Sequence, residues 1–361
     1  MKTIKGILWI VVMMVSISLM SCSRHYVQSL KIQGTPSAKV WLQDDTYNVD
    51  SVQVLVKKDH QDYKVLLLAD IQLDWWEPRL KNKALKQVKE LIEKTKPDFI
   101  ITLGDNVQGH YGDRMTKRLI KEMEAYHIPW TVVLGNHDSE GRRGRAWYGN
   151  RYEEAENSLF SYGPSNIHGV GNYPVLLKDE KGNIIYSFIM MDSHSWRPYE
   201  GGGGYDFIHL DQMLWYQWQI KGISETQYGE YNPASGKVVP NMCFFHIPLM
   251  EFADAANAVK DGTIDTTRVM GENNEGIAGA KVNPGFFDLM KEMKSTTDVF
   301  VGHDHVNNMS IDYQGIRLTY GLKTGPSSYH LDKMQGGTLL TIKKDADSKP
   351  EVDIEFIYLN K

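Results

Sequence analysis

Five short stretches of this 361-residue chain carry side chains of the types that can bind metal ions. They are Asp70-Ile71-Gln72, Gly104-Asp105-Asn106, Gly135-Asn136-His137-Asp138, the lone His246, and Gly302-His303-Asp304-His305. Carboxylate, amide oxygen and imidazole together suit Fe, Mn or Zn, and no thiolate is needed. Two such ions ~3.5–4 Å apart, bridged by one carboxylate, acidify a water and neutralise charge on phosphoryl oxygens. Each stretch says little alone. Asp and Asn are favoured in ordinary turns, and a single buried histidine is more often a hydrogen-bonded core residue than a ligand. The chemistry lies in the ordered set.

Each stretch follows a segment that reads as a buried strand. Lys64–Ala69, Phe99–Leu103, Trp130–Leu134, Met242–Phe245 and Val299–Val301 are short apolar runs, as expected where both faces of a strand are covered. Arg79–Lys96 places Leu80, Ala84, Val88, Leu91 and Ile92 at helical spacing. A second helix is predicted at Arg114–His127, a strand at Ile184–Met191, and helices at His209–Lys221 and Pro284–Lys294. Strands alternating with helices imply a central sheet flanked by helices. Ligands of such sheets gather beyond the carboxyl ends of the strands. All five stretches therefore point at one place.

The tail holds alternating segments at Arg317–Tyr320, Thr338–Ile342 and Asp353–Tyr358, which predict a second, antiparallel sheet. No linker divides the chain. Residues 61–361 are expected to form one α/β domain of the four-layer αββα kind. Residues 22–60 precede it as a tether and an edge strand near Ser51–Lys57.

With the ordered set in place, the sequence resembles the calcineurin-like metallophosphoesterases. It is most similar to the branch related to purple acid phosphatases that lacks the metal-binding tyrosine. Cys243-Phe244-Phe245-His246-Ile247-Pro248-Leu249, Asn274-Glu275-Gly276-Ile277, Gly285-Phe286-Phe287 and Val301-Gly302-His303-Asp304-His305-Val306-Asn307 carry that resemblance. It implies two metal ions (Fe, Mn or Zn) with Asp105 bridging them. Asp70, His305 and Gln72 would hold the first ion, and Asn136, His246 and His303 the second. His137 would contact the phosphoryl group or protonate the leaving alkoxide, with Asp105 as the other catalytic residue. The family usually has histidine where this chain has Gln72, so the first site is expected to bind less tightly. Gln108 stands where the colour-giving tyrosine would be, or the acid that orients the histidine in related protein phosphatases. The partner of His137 is therefore open at the level of sequence.

Four residues near the motifs are candidates for substrate contact. Trp75 follows the first motif, Arg142 and Arg143 follow the third, and His194 lies just past another strand end. Arginine pairs with phosphate oxygens in two-pronged fashion, and indole stacks on aromatic or sugar groups. The implied reaction is hydrolysis of a small-molecule phosphoester, a monoester first, with diesters or nucleotides as the alternative on the same metal core. A glycan-binding surface protein with a decayed metal site is the rival reading, given nine tryptophans and nineteen tyrosines.

Composition narrows the setting. Hydrophobic residues at 42% and charged residues at 24% match soluble globular proteins and exclude collagen-like, disordered or multi-span chains. A net charge of −5 gives no reason to expect nucleic-acid binding. Residues 1–21 read as a targeting segment, with Lys2 and Lys5 before an apolar run from Ile7 to Met20. The run ends in Leu19-Met20-Ser21-Cys22, which resembles a bacterial lipoprotein signal with Cys22 as the lipidated residue. The mature chain is then expected on a membrane of the cell envelope, the outer more than the inner. Cys243 is the second of only two cysteines, so a disulfide scaffold is excluded.

Overall fold

The strands that precede the motifs are the elements that position them. In a computed structural model describing residues 39–200, 202–343 and 350–360, β2 (Tyr63–Leu68), β3 (Phe99–Leu103) and β4 (Trp130–Val133) lie side by side and parallel. Helices α1 (Pro78–Thr95) and α2 (Gly112–Glu124) make the two crossovers between them. The α1 helix stops at Lys96, which turns into the left-handed region with φ 47° and donates its N–H to Ile92 O. Pro97, which has no N–H to offer, then follows. α1 buries Ala84, Val88, Leu91 and Ile92 against this sheet, as read from their spacing, together with Leu85, whereas Leu80 is only partly buried.

The sheet is completed by β13 (Gly336–Ile342) and β14 (Val352–Tyr358), giving the order β14-β13-β2-β3-β4. A second sheet of seven strands has the order β1-β5-β6-β9-β10-β12-β11. Its members are β1 (Gln53–Lys57), β5 (Tyr173–Asp179), β6 (Ile184–Met190), β9 (Asn241–Phe244), β10 (Thr296–Val301), β11 (Ser310–Tyr313) and β12 (Ile316–Tyr320). Here β6, β9, β10 and β12 run parallel. The expected edge strand near Ser51–Lys57 is β1, at one margin of this sheet.

The period-two alternation of strands sorts side chains between two cores. Met242 and Phe244 of β9 face inward with Phe188 and Phe300, against Phe99 and Leu66 of the other sheet. Cys243 and Val299 face the opposite way, onto α4 (Leu210–Tyr228), α5 (Glu251–Lys260) and α6 (Phe286–Met293). Two sheets thus pack face to face with helices on both outer faces, the αββα arrangement expected. A short helix, α3 (Arg145–Glu153), packs beside α2.

One expectation is corrected. The tail does not form a separate sheet. Arg317–Tyr320 lies in β12, parallel to β10 in the seven-stranded sheet, whereas β13 pairs antiparallel with β2 in the other. Gly202–Tyr205, as β8, pairs with β7 (Trp196–Tyr199) in a two-stranded ribbon. The targeting segment and Cys22 lie outside the described residues. Among the described residues, no helix is long and apolar enough to cross a membrane.

Candidate metal centre

Neighbouring parallel strands end on the same side, so their carboxyl-terminal residues meet. β2, β3 and β4 deliver Asp70, Asp105 and Asn136 from one sheet; β9 and β10 deliver His246 and His303 from the other. The chain turns sharply at three of these ends, after β2, β3 and β10. Asp70, Gln72, Asp105 and His303 all adopt left-handed φ, at 51°, 47°, 49° and 77°. Such strain in non-glycine residues gathers at functional sites. Gly135 allows the close approach this requires, because a Cβ there would sit 2.2 Å from the Asp105 backbone nitrogen.

The donor atoms converge. One ligand atom each from Asp70, Asp105 and His246 lie within 4.8 Å of one another. His246 Nε2 is 3.1 Å from Asn136 Oδ1, 3.3 Å from Asp105 Oδ2 and 3.3 Å from His303 Nδ1. His305 Nε2 is 3.4 Å from Asp70 Oδ1. Asp105 lies between the two halves, its Oδ2 also 3.4 Å from Gln72 Nε2.

The ring tautomers suit a metal. His246 Nδ1–H donates to Leu103 O at 2.7 Å, and His305 Nδ1–H donates to Tyr329 O at 2.9 Å. Each leaves Nε2 toward the cluster, as outer partners of metal-bound histidines do. Burial, helped by the neighbouring His246, pushes His303 down to about 3, so its ring is neutral with a lone pair available. Burial alone would also lower His246, but the Asp105 carboxylate raises it to about 9. A site that draws a proton onto a fully buried imidazole is short of positive charge. Asp70 Oδ1 and His303 Nε2 are buried without a hydrogen-bond partner, and such groups are costly unless satisfied. The donor set of carboxylates, one amide oxygen and imidazoles fits divalent or trivalent ions.

His137 stands at the rim, with its side chain 36% exposed. Its backbone N–H donates to Asp105 Oδ1 at 2.8 Å, and its Nε2 is 3.8 Å from Asp105 Oδ2. The question left open by Gln108 has an answer three residues on. Glu140 Oε1 is 2.5 Å from His137 Nδ1, and Glu140 Oε2 accepts from Gly109 N–H at 3.0 Å. Burial lowers His137, but the hydrogen bond to Glu140 and the charges of Asp105 and Glu140 together raise it above the ordinary imidazole value. Glu140 is missed by motif reading because its loop position carries no spacing signal of its own.

Two further residues brace the loops. Asp138 is fully buried and accepts from Asn106 N–H, Val107 N–H and Gly135 N–H at 2.9, 3.0 and 2.7 Å, tying the β3 and β4 ends together. Arg145 grips both carboxylate oxygens of buried Asp192 at 2.7 and 2.5 Å and donates to Gly135 O at 3.1 Å. Of three arginines in this loop, it is therefore Arg145 that supports the third motif.

The candidate substrate contacts are engaged within the protein. Arg142 pairs with Asp113 and lies over the Tyr111 ring, and Arg143 lies over Trp147. Trp75 has Arg114 4.6 Å and Lys81 5.2 Å from its ring centre. His194 Nε2 is 2.9 Å from Gln212 Oε1. His194, Asp206 and His209 form a second cluster of possible ligands, but His209 and Arg197 both pair with Asp206 Oδ1. Two tyrosines flank the main cluster: Tyr205 of β8 sets its ring edge-on to His303, and Tyr329 stacks on His305.

Comparison with known proteins agrees with this geometry. The pattern of the calcineurin-like phosphoesterase family matches residues 63–307. A protein named "Probable inactive purple acid phosphatase 29" from Arabidopsis thaliana is 31% identical over 257 residues, covering 67% of this chain and 62% of that protein. "Phosphatase DCR2" of Saccharomyces cerevisiae is 26% identical over 282 residues, covering 71% of this chain and 46% of that one. The chain thus spans less than two thirds of the length of either. Among solved structures, a dimetal phosphatase from Danio rerio shares the fold with a TM-score of 0.50 at 12% identity, over 82% of this chain and 96% of that one. A family match over more than half of the chain, around residues that meet at five strand ends, settles the membership: this chain belongs to the calcineurin-like phosphoesterase family.

Proposed function

We propose that this chain is a metal-dependent phosphoester hydrolase, with phosphomonoesters as its substrates. The observation that carries the reading is the meeting of Asp70, Asp105, Asn136, His246, His303 and His305 at the ends of parallel strands, with His137 and Glu140 at the rim. Bound metal ions supply Lewis-acid charge for phosphoryl oxygens and a water acidified to act as nucleophile. The protein does the rest. Asp105 serves both halves of the centre. Asp70 and His305 hold one half, and Asn136, His246 and His303 hold the other.

His137 has its Nδ1–H directed to Glu140, so Nε2 is the atom that faces the substrate side. In the imidazolium form, Nε2–H gives its proton to the departing alkoxide. General-acid help of this sort is worth ~10²–10⁴-fold. Glu140 keeps the ring oriented and favours its protonated form.

Hydrolysis of p-nitrophenyl phosphate against its bis ester, with Mn²⁺, Zn²⁺ or Fe, tests the substrate class. Faster turnover of the monoester supports the reading. Preference for the diester makes the chain a phosphodiesterase on the same centre, and no turnover of any phosphoester overturns the enzyme reading. The relative named inactive makes that last outcome a real contrast. We further propose that Cys22 anchors the mature protein to a membrane of the cell envelope through lipid.

A further inference from the structure

Gln72 sits where the resemblance implies an imidazole, and its amide orientation is dictated by a buried lysine. Lys323 Nζ lies 2.6 Å from Gln72 Oε1 and 3.1 Å from Asp70 O. An ammonium has three donors and no acceptor, so the atom it meets is the amide oxygen. The amide nitrogen is thereby turned to the centre, with Nε2 3.4 Å from Asp105 Oδ2 and 3.4 Å from His305 Nε2. An amide nitrogen shares its lone pair with the carbonyl and offers a metal only its hydrogens.

Both side chains are shut off from solvent. Lys323 is 2% exposed and Gln72 fully buried. The backbone around Lys323 is strapped to the first motif: Thr324 N–H donates to Ala69 O at 2.7 Å and Gly325 N–H to Asp70 O at 3.2 Å. A Cβ on Gly325 would meet Ile71 O at 2.0 Å, so the two segments are in direct contact. Lys323 therefore enters the site from the end of β12, a strand of the sheet opposite to β2.

We propose that Lys323 makes the two halves of the metal centre unequal. It occupies the oxygen of Gln72, turns the amide nitrogen inward and sets an ammonium beside the Asp70–His305 half. That half loses a ligand and gains a neighbouring positive charge, while the Asn136–His246–His303 half keeps its full set. The chain therefore fills one site tightly and the other weakly. This inference rests on the metallophosphoesterase reading.

The test is metal stoichiometry, not activity. The full chain is stripped with chelator and titrated with Mn²⁺ or Zn²⁺, with bound metal counted by elemental analysis after equilibrium dialysis. The wild type should bind one ion tightly and a second about 10–100-fold more weakly, the range in which outer-shell changes act on metal affinity. Lys323→Met frees the Gln72 oxygen to turn inward, and Gln72→His supplies an imidazole while keeping Lys323. Each should narrow the gap. Thermal denaturation shows whether each variant folds, and Gln72→His stands as the test if Lys323→Met does not. Two ions of equal affinity in the wild type, or a gap untouched by the folded variants, would overturn the role of Lys323. Binding of no ion at all would instead overturn the metal-centre reading beneath it.

Discussion

His137 and Glu140 share one task, and they show what single residues contribute. His137 was legible in the sequence because it sits inside a four-residue motif. Glu140 was not: with Gln108 in place of an acid the partner of His137 stayed open, and the loop position of Glu140 carries no spacing signal. If His137 is the general acid, His137→Ala should lower kcat on alkyl phosphates by ~10²–10⁴-fold. Its effect on p-nitrophenyl phosphate, whose leaving group needs little protonation, should be much smaller, and metal content should stay unchanged. Glu140→Gln should fall in the same direction by a smaller factor. Equal losses on both substrates would argue that His137 holds the phosphoryl group rather than the proton. Gln72 carries the matching lesson for ligands: residue type alone does not say which end of an amide faces a metal, and Lys323 is 251 positions away in sequence.

Strands and the turns after them explain why the residues meet. Short apolar runs announced β2, β3, β4, β9 and β10 well, because a strand buried on both faces has nothing polar to hide. The tail was read less well. Alternation in Arg317–Tyr320 reveals a strand but not its neighbour, which is β10. The strand ends are also the weak points. At Gly135 an added methyl group would collide with both the backbone nitrogen and Oδ1 of Asp105, at 2.2 Å each. Gly135→Ala should therefore displace Asp105 and abolish metal binding, measured by elemental analysis, even in protein that still shows the native circular dichroism. Normal metal content in that variant would mean that the turn is looser than drawn.

Among the described residues, the two large sheets are held face to face by a core rich in aromatic side chains. Phe188 of one sheet lies 6.0 Å, ring centre to ring centre, from Phe99 of the other and packs in the same core as Phe244 and Phe300. Phe188→Ala should cost about 3–5 kcal/mol in denaturant unfolding. A cost under 1 kcal/mol would show that the sheets do not depend on this contact. Cys243, between β9 and the helices, is buried and its thiol is pushed up to about 12, so it should resist thiol reagents until the protein unfolds. Cys22→Ser should move the protein from the membrane to the soluble fraction of the cell that makes it; retention on the membrane would refute the lipid anchor. The layered architecture was legible from strand–helix alternation, whereas the division of the tail between two sheets was not. The most direct test of the account is hydrolysis of a phosphomonoester by the purified chain before chelation, after chelation and after metal is restored, alongside Asp105→Asn. The account predicts turnover that is lost on chelation, recovered with metal, and absent in Asp105→Asn at every stage. Turnover that survives chelation, or that Asp105→Asn retains in full, would contradict it.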